Sequence, residues 1–217
     1  IGFMIKDLQD SNWANDIATW TVSPLRSGWS KDSTCGTARL IGGYCRIGSS
    51  GGQSGGYLGT NYYSLPAHHS LRISFTFWAI DSWDSGDKFD LYFDSLYAGW
   101  SLHYSTFQNQ VCGQGGSDYR ERDFEIIVWL PHTRSQLDMQ VISRLDEESC
   151  NESFGIRNIQ IIIDRNNAPA STQICGIDSS PLPAANCGCY SVGTYPPNCD
   201  PCHPLCSTCY GPGANQC

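Results

Sequence analysis

The chain of 217 residues has no apolar run near the length of about 18 that a membrane-crossing helix needs. Positive charge is also scarce. There are three lysines (Lys6, Lys31 and Lys88), and 13 basic residues face 21 acidic ones, for a net charge of −8. A chain of that balance is a poor partner for nucleic acid and for anionic lipid, both of which are held by clustered Lys and Arg. No basic stretch leads into an apolar one at the start, and the first residue is Ile1, so a processed chain or a fragment is expected. Disorder is excluded by 40% hydrophobic and 12% aromatic residues.

Cysteine is rare where the chain is long and dense where it is short. Residues 1–174 hold four: Cys35, Cys45, Cys112 and Cys150. The remaining 43 hold eight: Cys175, Cys187, Cys189, Cys199, Cys202, Cys206, Cys209 and Cys217. The first part is long enough to bury a core. The second is too short and polar to do so without covalent staples. An even count with a cysteine-dense end implies an oxidising, extracellular setting, secreted or at the cell surface. The expected staples are Cys35–Cys45 and Cys112–Cys150, with four pairs in the tail whose connectivity the sequence leaves open. The sequon Asn151-Glu152-Ser153 makes Asn151 a candidate glycosylation site.

Residues 1–165 read as β-structure. Over 71–80, Leu71, Ile73, Phe75 and Phe77 share one face while Arg72, Ser74 and Thr76 share the other. That period of two marks a half-buried strand. Phe89, Leu91 and Phe93 repeat it, as do Phe124, Ile126, Val128 and Leu130. The stretch 156–163 is apolar on both faces and β-branched, as a central strand would be. Weaker strands are expected over 17–22, 38–47 and 99–104. The stretch 136–147 fits either a helix, through Leu137, Val141, Ile142 and Leu145, or a strand, through Leu137, Met139 and Val141. Strand is chosen because its neighbours are strands. About eight short strands without a long helix predict an all-β, two-sheet jelly-roll sandwich. Residues 166–174 (beginning NNAPAS) read as a linker, and 175–217 as a small disulfide-rich module with little regular structure.

The tail reads CDPCHPLCSTCYGPGANQC from Cys199 to Cys217. Zinc is a poor fit, because Cys202 and Cys206 are separated by only three residues and two knuckles cannot close on one tetrahedral ion. Cys199-Asp200-Pro201-Cys202-His203 matches a covalent-haem motif, but lies inside the longer cysteine rhythm. From Cys202 to Cys217 the stretch resembles furin-like cysteine-rich repeats of growth-factor receptors, proprotein convertases and protist surface proteins. That resemblance implies spacers and interaction surfaces, not catalysis. Residues 10–165, with LPAHHSLRISFTFWAIDSWD in the middle and Glu152–Ile159 as last strand, resemble galactose-binding-like jelly-roll domains of large secreted proteins, especially in ciliated protists.

No catalytic constellation is evident. His68 and His69 are adjacent, His103 and His132 lack a motif partner, and the glycine-rich stretch 49–56 lacks the Lys-Ser/Thr of a phosphate loop. Asp81, Asp84, Asp87 and Asp90, with Asp94 beyond, crowd one strand-to-strand passage and form a candidate calcium site. Calcium is thus the one cofactor implied. Tyr57, Tyr62 and Tyr63 beside the glycine-rich stretch, with Trp100, form a candidate platform on which a sugar ring stacks. The leading expectation is a non-enzymatic structural or interaction unit of an extracellular coat, matrix or fibre, binding copies of itself or other extracellular proteins. The alternative is a carbohydrate-binding module, with calcium assisting. A glycan-processing enzyme is the remote third, since no acid–base pair stands out.

Overall fold

The computed structural model describes residues 3–25, 28–47, 56–84, 87–97, 100–101, 110–116, 121–166, 168–169, 172–176, 194–195 and 200–201. The side chains of the cysteine-rich tail, the furin-like match and the tail cysteines after Cys175 lie outside them, as does the glycine-rich stretch 49–55.

Fifteen strands are seen in these residues: β1 (Met4–Asp7), β2 (Thr21–Ser23), β3 (Asp32–Cys35), β4 (Ala38–Gly42), β5 (Tyr57–Tyr62), β6 (Ser70–Asp81), β7 (Lys88–Phe93), β8 (Leu96–Tyr97), β9 (Trp100–Ser101), β10 (Arg122–Pro131), β11 (Leu137–Ser143), β12 (Glu152–Asp164), β13 (Gln173–Gly176), β14 (Thr194–Tyr195) and β15 (Asp200–Pro201). One sheet runs β13-β10-β6-β12-β4-β3, with β1 also on β12. The other runs β2-β5-β11-β7-β8, with β9 also on β7. Every pairing is antiparallel. From β4 to β12 the chain crosses between the sheets repeatedly. Strands β4, β6, β10 and β12 fall in the first, and β5, β7, β8 and β11 in the second. Eight strands wound in this alternation make a jelly roll.

The period of two places the core. Leu71, Ile73, Phe75, Phe77 and Ala79 of β6 face Phe89, Leu91 and Phe93 of β7 and Leu137, Met139 and Val141 of β11 across the sandwich, all buried in one cluster. Phe77 is central. Its ring stacks on Phe89 at 4.1 Å between centroids and on Phe154 at 5.6 Å, and meets Trp83 edge-on at 5.8 Å. The stretch 137–143 is a strand, and β12 is central, between β6 on one side and β4 and β1 on the other. A bulge between Arg157 and Gln160 lets β12 change partners, with Asn158 at φ 53° absorbing the kink.

Three sequence expectations are corrected. The stretch 17–22 opens with a 3₁₀ turn (Ile17–Thr19), and only Thr21–Ser23 pairs as a strand. Within 38–47, pairing stops at Gly42 and turns follow. The expected linker 166–174 contains the start of β13, which pairs Gln173–Gly176 with Ile126–Trp129. Cys175 therefore lies on the sandwich edge rather than in a separate module. Of 99–104, Trp100–Ser101 is a short strand on β7, and 102–104 are outside the described residues.

Candidate functional site

The β3–β4 hairpin turns tightly through Gly36 and Thr37, with Cys35 opposite Ala38 and Asp32 opposite Ile41. Two disulfides bolt it down. Cys35 pairs with Cys112 and Cys45 with Cys150. The expected Cys35–Cys45 and Cys112–Cys150 bridges are thus replaced by crossed ones, because Cys35 and Cys45 sit at opposite ends of β4. The four cysteines are disulfide-bonded as expected, in the other pairing. Beneath the hairpin, on the outer side of the first sheet, Cys35, Ala38, Leu40 and Ile80 form a second small core with Tyr44, Trp78 and Cys112 against it. Gly43 closes the turn after β4 at φ +88°, and a side-chain carbon there would come within 2.0 Å of the Ser33 hydroxyl. Only glycine fits that approach.

This hairpin and the turn after it line a cleft of about 700 Å³, walled by Trp29, Asp32, Ser33, Thr34, Arg39, Tyr44, Cys45 and Arg46. Asp32 organises it. One carboxylate oxygen accepts from Arg39 Nε at 2.8 Å and from Trp13 Nε1 at 2.9 Å. Burial pushes the Asp32 carboxyl up, but these bonds more than offset it and hold the group below the ordinary carboxylate value. The Asp32 carbonyl accepts from Arg46 Nε at 3.0 Å, and the Arg46 guanidinium lies over Trp29 at 4.5 Å from the ring centre. Arg39 lies over Trp13 at 5.2 Å. Aromatic rings, two forked cations and hydroxyls converge on one concave surface, the make-up of a small-ligand site. Apart from Cys45, a disulfide candidate, none of these residues reads as a site in the sequence. The signal available was that Cys35 and Cys45 bracket Arg39 and Tyr44.

The acidic passage divides three ways. Asp81 ends β6 at φ 71° and turns to the 110–116 segment, where its Oδ1 accepts from the Gln114 amide at 2.9 Å. Burial, opposed by that bond and reinforced by the charge of Glu121, pushes Asp81 up to about 7. Among the described residues, its Oδ2 and Glu121 Oε1 meet no hydrogen-bond partner. Asp90 points outward from β7, paired with Arg144 at 2.7 Å and accepting from Tyr97. Asp84 is exposed, and its amide donates to Asp87. The expected quartet of Asp81, Asp84, Asp87 and Asp90 is therefore not one cluster. Strand parity sends Asp90 to the outer face, and the turn at Asp81 carries that residue away. Asp87 joins a different acidic group: it, Asp146 and Glu152 each offer an oxygen within 4.8 Å of the others'. Asp87, just before β7, and Glu152, the first residue of β12, each stand two residues before an inward ring, Phe89 and Phe154. Both acids are buried at the rim of the core. Burial foremost pushes both carboxyls up: Asp87 to about 6, with the charges of Asp84 and Asp146 adding and the Glu152 hydrogen bond opposing, and Glu152 to about 8, with the charge of Asp87 adding.

At the opposite end of β6, His68 Nε2 and His132 Nδ1 are 2.7 Å apart, His132 Nε2 is 2.9 Å from Asp94 Oδ2, and His68 Nδ1 meets the Pro66 carbonyl. Burial holds His132 below its ordinary value, against the pull of Asp94. Both imidazoles are buried and no nucleophile joins the chain among the described residues. His132, without a motif partner in the sequence, has one in space.

The expected sugar platform does not assemble. Tyr62 turns inward and donates from its hydroxyl to Asp7 Oδ2 at 2.6 Å, beside the Trp20 indole N–H on the same oxygen at 3.0 Å. Tyr57 lies over Gly59 on the outer face, its hydroxyl 2.0 Å from where a side-chain carbon would begin. Tyr63 is 67% exposed beyond the far end of β5. Trp100 pairs through its backbone with Phe89, two strands away from β5, and its side chain lies outside the described residues. Asn151 follows the Cys45–Cys150 bridge. Its Nδ2 donates to Glu147, and its Oδ1 accepts from Gln114 Nε2 at 3.2 Å.

No protein-family model matches the sequence, and no curated protein matches it. Among solved structures, a point variant of the carbohydrate recognition domain of Emp46p aligns over 73% of this chain and 93% of that one, at 9% identity and a TM-score of 0.33. Similarity at that level says nothing about ligand or family.

Proposed function

We propose that the chain is a non-catalytic glycan-binding module of a secreted or cell-surface protein, with the Trp29 cleft as its binding site. The observation that carries this reading is the cleft. Trp29 and Tyr44 supply ring faces, Arg39, Arg46 and Asp32 supply hydrogen-bonding groups held by their own contacts, and Thr34 adds a hydroxyl, in a volume of about 700 Å³ that suits one or two sugar rings. The disulfides support an oxidising compartment, and no helix among the described residues is long and apolar enough to cross a membrane. Calcium assists by filling the Asp87, Asp146 and Glu152 cluster, whose neighbour Cys150 is bonded to Cys45 in the cleft wall. A glycan array probed with the intact chain tests the reading. Binding is expected, and is lost in Trp29→Ala while the thermal melt is kept. Silence across neutral and charged glycans, with and without calcium, would overturn it.

The second reading is a structural unit of a coat, matrix or fibre that binds copies of itself or other extracellular proteins. It is favoured by β13, which ties the entry to the cysteine-rich tail into the first sheet. Polymers seen by electron microscopy of the intact protein would favour it. A strict monomer at high concentration would remove it.

A further inference from the structure

The charge inside the cleft opposes the charge of the chain. The whole sequence carries −8, yet the cleft wall holds two guanidinium groups and one carboxylate. Asp32 is committed to Arg39, on which it closes at 2.8 Å. Arg46 takes only the Asp32 backbone carbonyl, through Nε, and no ion pair among the described residues includes it. Among the described residues, one positive charge in the cleft is left without a carboxylate.

That charge is also held in place. The Nε bond fixes one edge of the guanidinium and the Trp29 ring fixes its plane at 4.5 Å. The Nη donors, for which the described residues show no hydrogen-bond partner, form the outer side of a planar fork. A fork held this way matches two oxygens of a carboxylate or a sulfate, and little ordering is needed when they arrive. A neutral sugar offers hydroxyls alone and leaves the charge uncompensated.

We propose that the cleft selects an anionic sugar residue, with its carboxylate or sulfate ester seated bidentately on Arg46 and its ring against the Trp29–Tyr44 wall. This rests on the glycan-binding reading of the same cleft and adds the sign of the ligand. The negative surface of the rest of the chain then repels such polymers wherever the cleft does not engage them, which sharpens the choice of site.

The test is calorimetry of the intact chain against a matched set: an oligouronate, its methyl ester, a sulfated galactan oligomer and the unsulfated galactan. The acid or the sulfate is expected to bind at least about tenfold tighter than its neutral twin, as a charge-assisted bidentate bond allows. Arg46→Gln is expected to erase that difference. Arg46→Lys, which keeps the charge and loses the fork, is expected to restore it only in part. Acid and sulfate arms separate the two anions. Equal affinity for charged and neutral twins, lost in Trp29→Ala, would overturn the anionic preference and leave a sugar site. An anionic preference surviving in Arg46→Gln would overturn the role of Arg46. No binding by any member would overturn both this inference and the glycan reading beneath it.

Discussion

His68 Nε2 and His132 Nδ1 face each other at 2.7 Å, from 64 residues apart in sequence. The outer nitrogens are also engaged, His68 Nδ1 at the Pro66 carbonyl and His132 Nε2 at the Asp94 carboxylate. A carbonyl and a carboxylate only accept, so each of the three gaps needs a proton on a ring nitrogen. Burial disfavours charge on His132, against the pull of Asp94. Arg134 lies 3.5 Å from the Asp94 oxygen that His132 meets.

Removing the middle of that chain strands both ends. His132→Phe leaves His68 and Asp94 facing an apolar ring in a largely buried place, and is expected to destabilise the fold by about 2–4 kcal/mol. Urea denaturation measures it. A loss inside about 0.5 kcal/mol, the range of ordinary surface changes, would show that the chain is not structural.

Asp81 gives the fold a pH dependence of known sign. Its carboxyl ionises near 3.8 when unfolded and at about 7 when folded, where burial, the Glu121 charge and the Gln114 amide set it. Between those values the folded chain holds a proton that the unfolded chain has released. Stability from this group is full below about pH 4 and is lost as pH rises through 7. Asp87 and Glu152 act in the same sense, so the measurement is a difference. In chelator, this group is expected to make the melting temperature fall between about pH 5 and 7, and the fall is smaller in Asp81→Asn. Equal slopes in both proteins would remove Asp81 as the source.

Most of the sandwich was legible because alternation is local. Leu71 to Phe77, Phe89 to Phe93 and Phe124 to Leu130 declare their inward faces within a few residues. The sites were less legible because they depend on where strands end. Four aspartates close in sequence separate once Asp90 follows strand parity outward and Asp81 takes a left-handed backbone. Asp87 instead meets Glu152, from the strand opposite. The cleft escaped notice because Trp29, Asp32 and Arg46 belong to turns and short strands with no periodic signature, and tertiary packing alone brings them together. In the sequence Tyr62 reads as a surface ring beside the glycine-rich stretch. Its alternation with Leu58 and Thr60 already assigned it to the interior.

Crossed disulfides are directly checkable. Nonreducing peptide mapping is expected to return Cys35 linked to Cys112 and Cys45 linked to Cys150. Peptides linking Cys35 to Cys45 would contradict the structure. The first bridge spans 77 residues. The double variant Cys35→Ala/Cys112→Ala is therefore expected to lose about 4 kcal/mol of stability by the loop-entropy relation.

The last prediction concerns the acidic cluster at the rim of the core. Asp87 and Glu152 are buried and their third partner, Asp146, is exposed, so an ion has an entry from solvent. Three carboxylate oxygens within 4.8 Å of one another can surround one calcium, which takes roughly six to eight oxygens at about 2.4 Å and completes its shell with water. Binding to the folded chain alone raises its stability by mass action, by about 2.7 kcal/mol at one hundred times the dissociation constant. Millimolar calcium is expected to raise the melting temperature of the intact chain at pH 7.5. The rise should vanish in Glu152→Gln, where one buried ligand loses its charge, and persist in Asp90→Asn, whose carboxylate lies on the outer face with Arg144. A melt indifferent to calcium would leave the cluster as a proton-sharing pair. A rise that survives in Glu152→Gln would place the ion elsewhere.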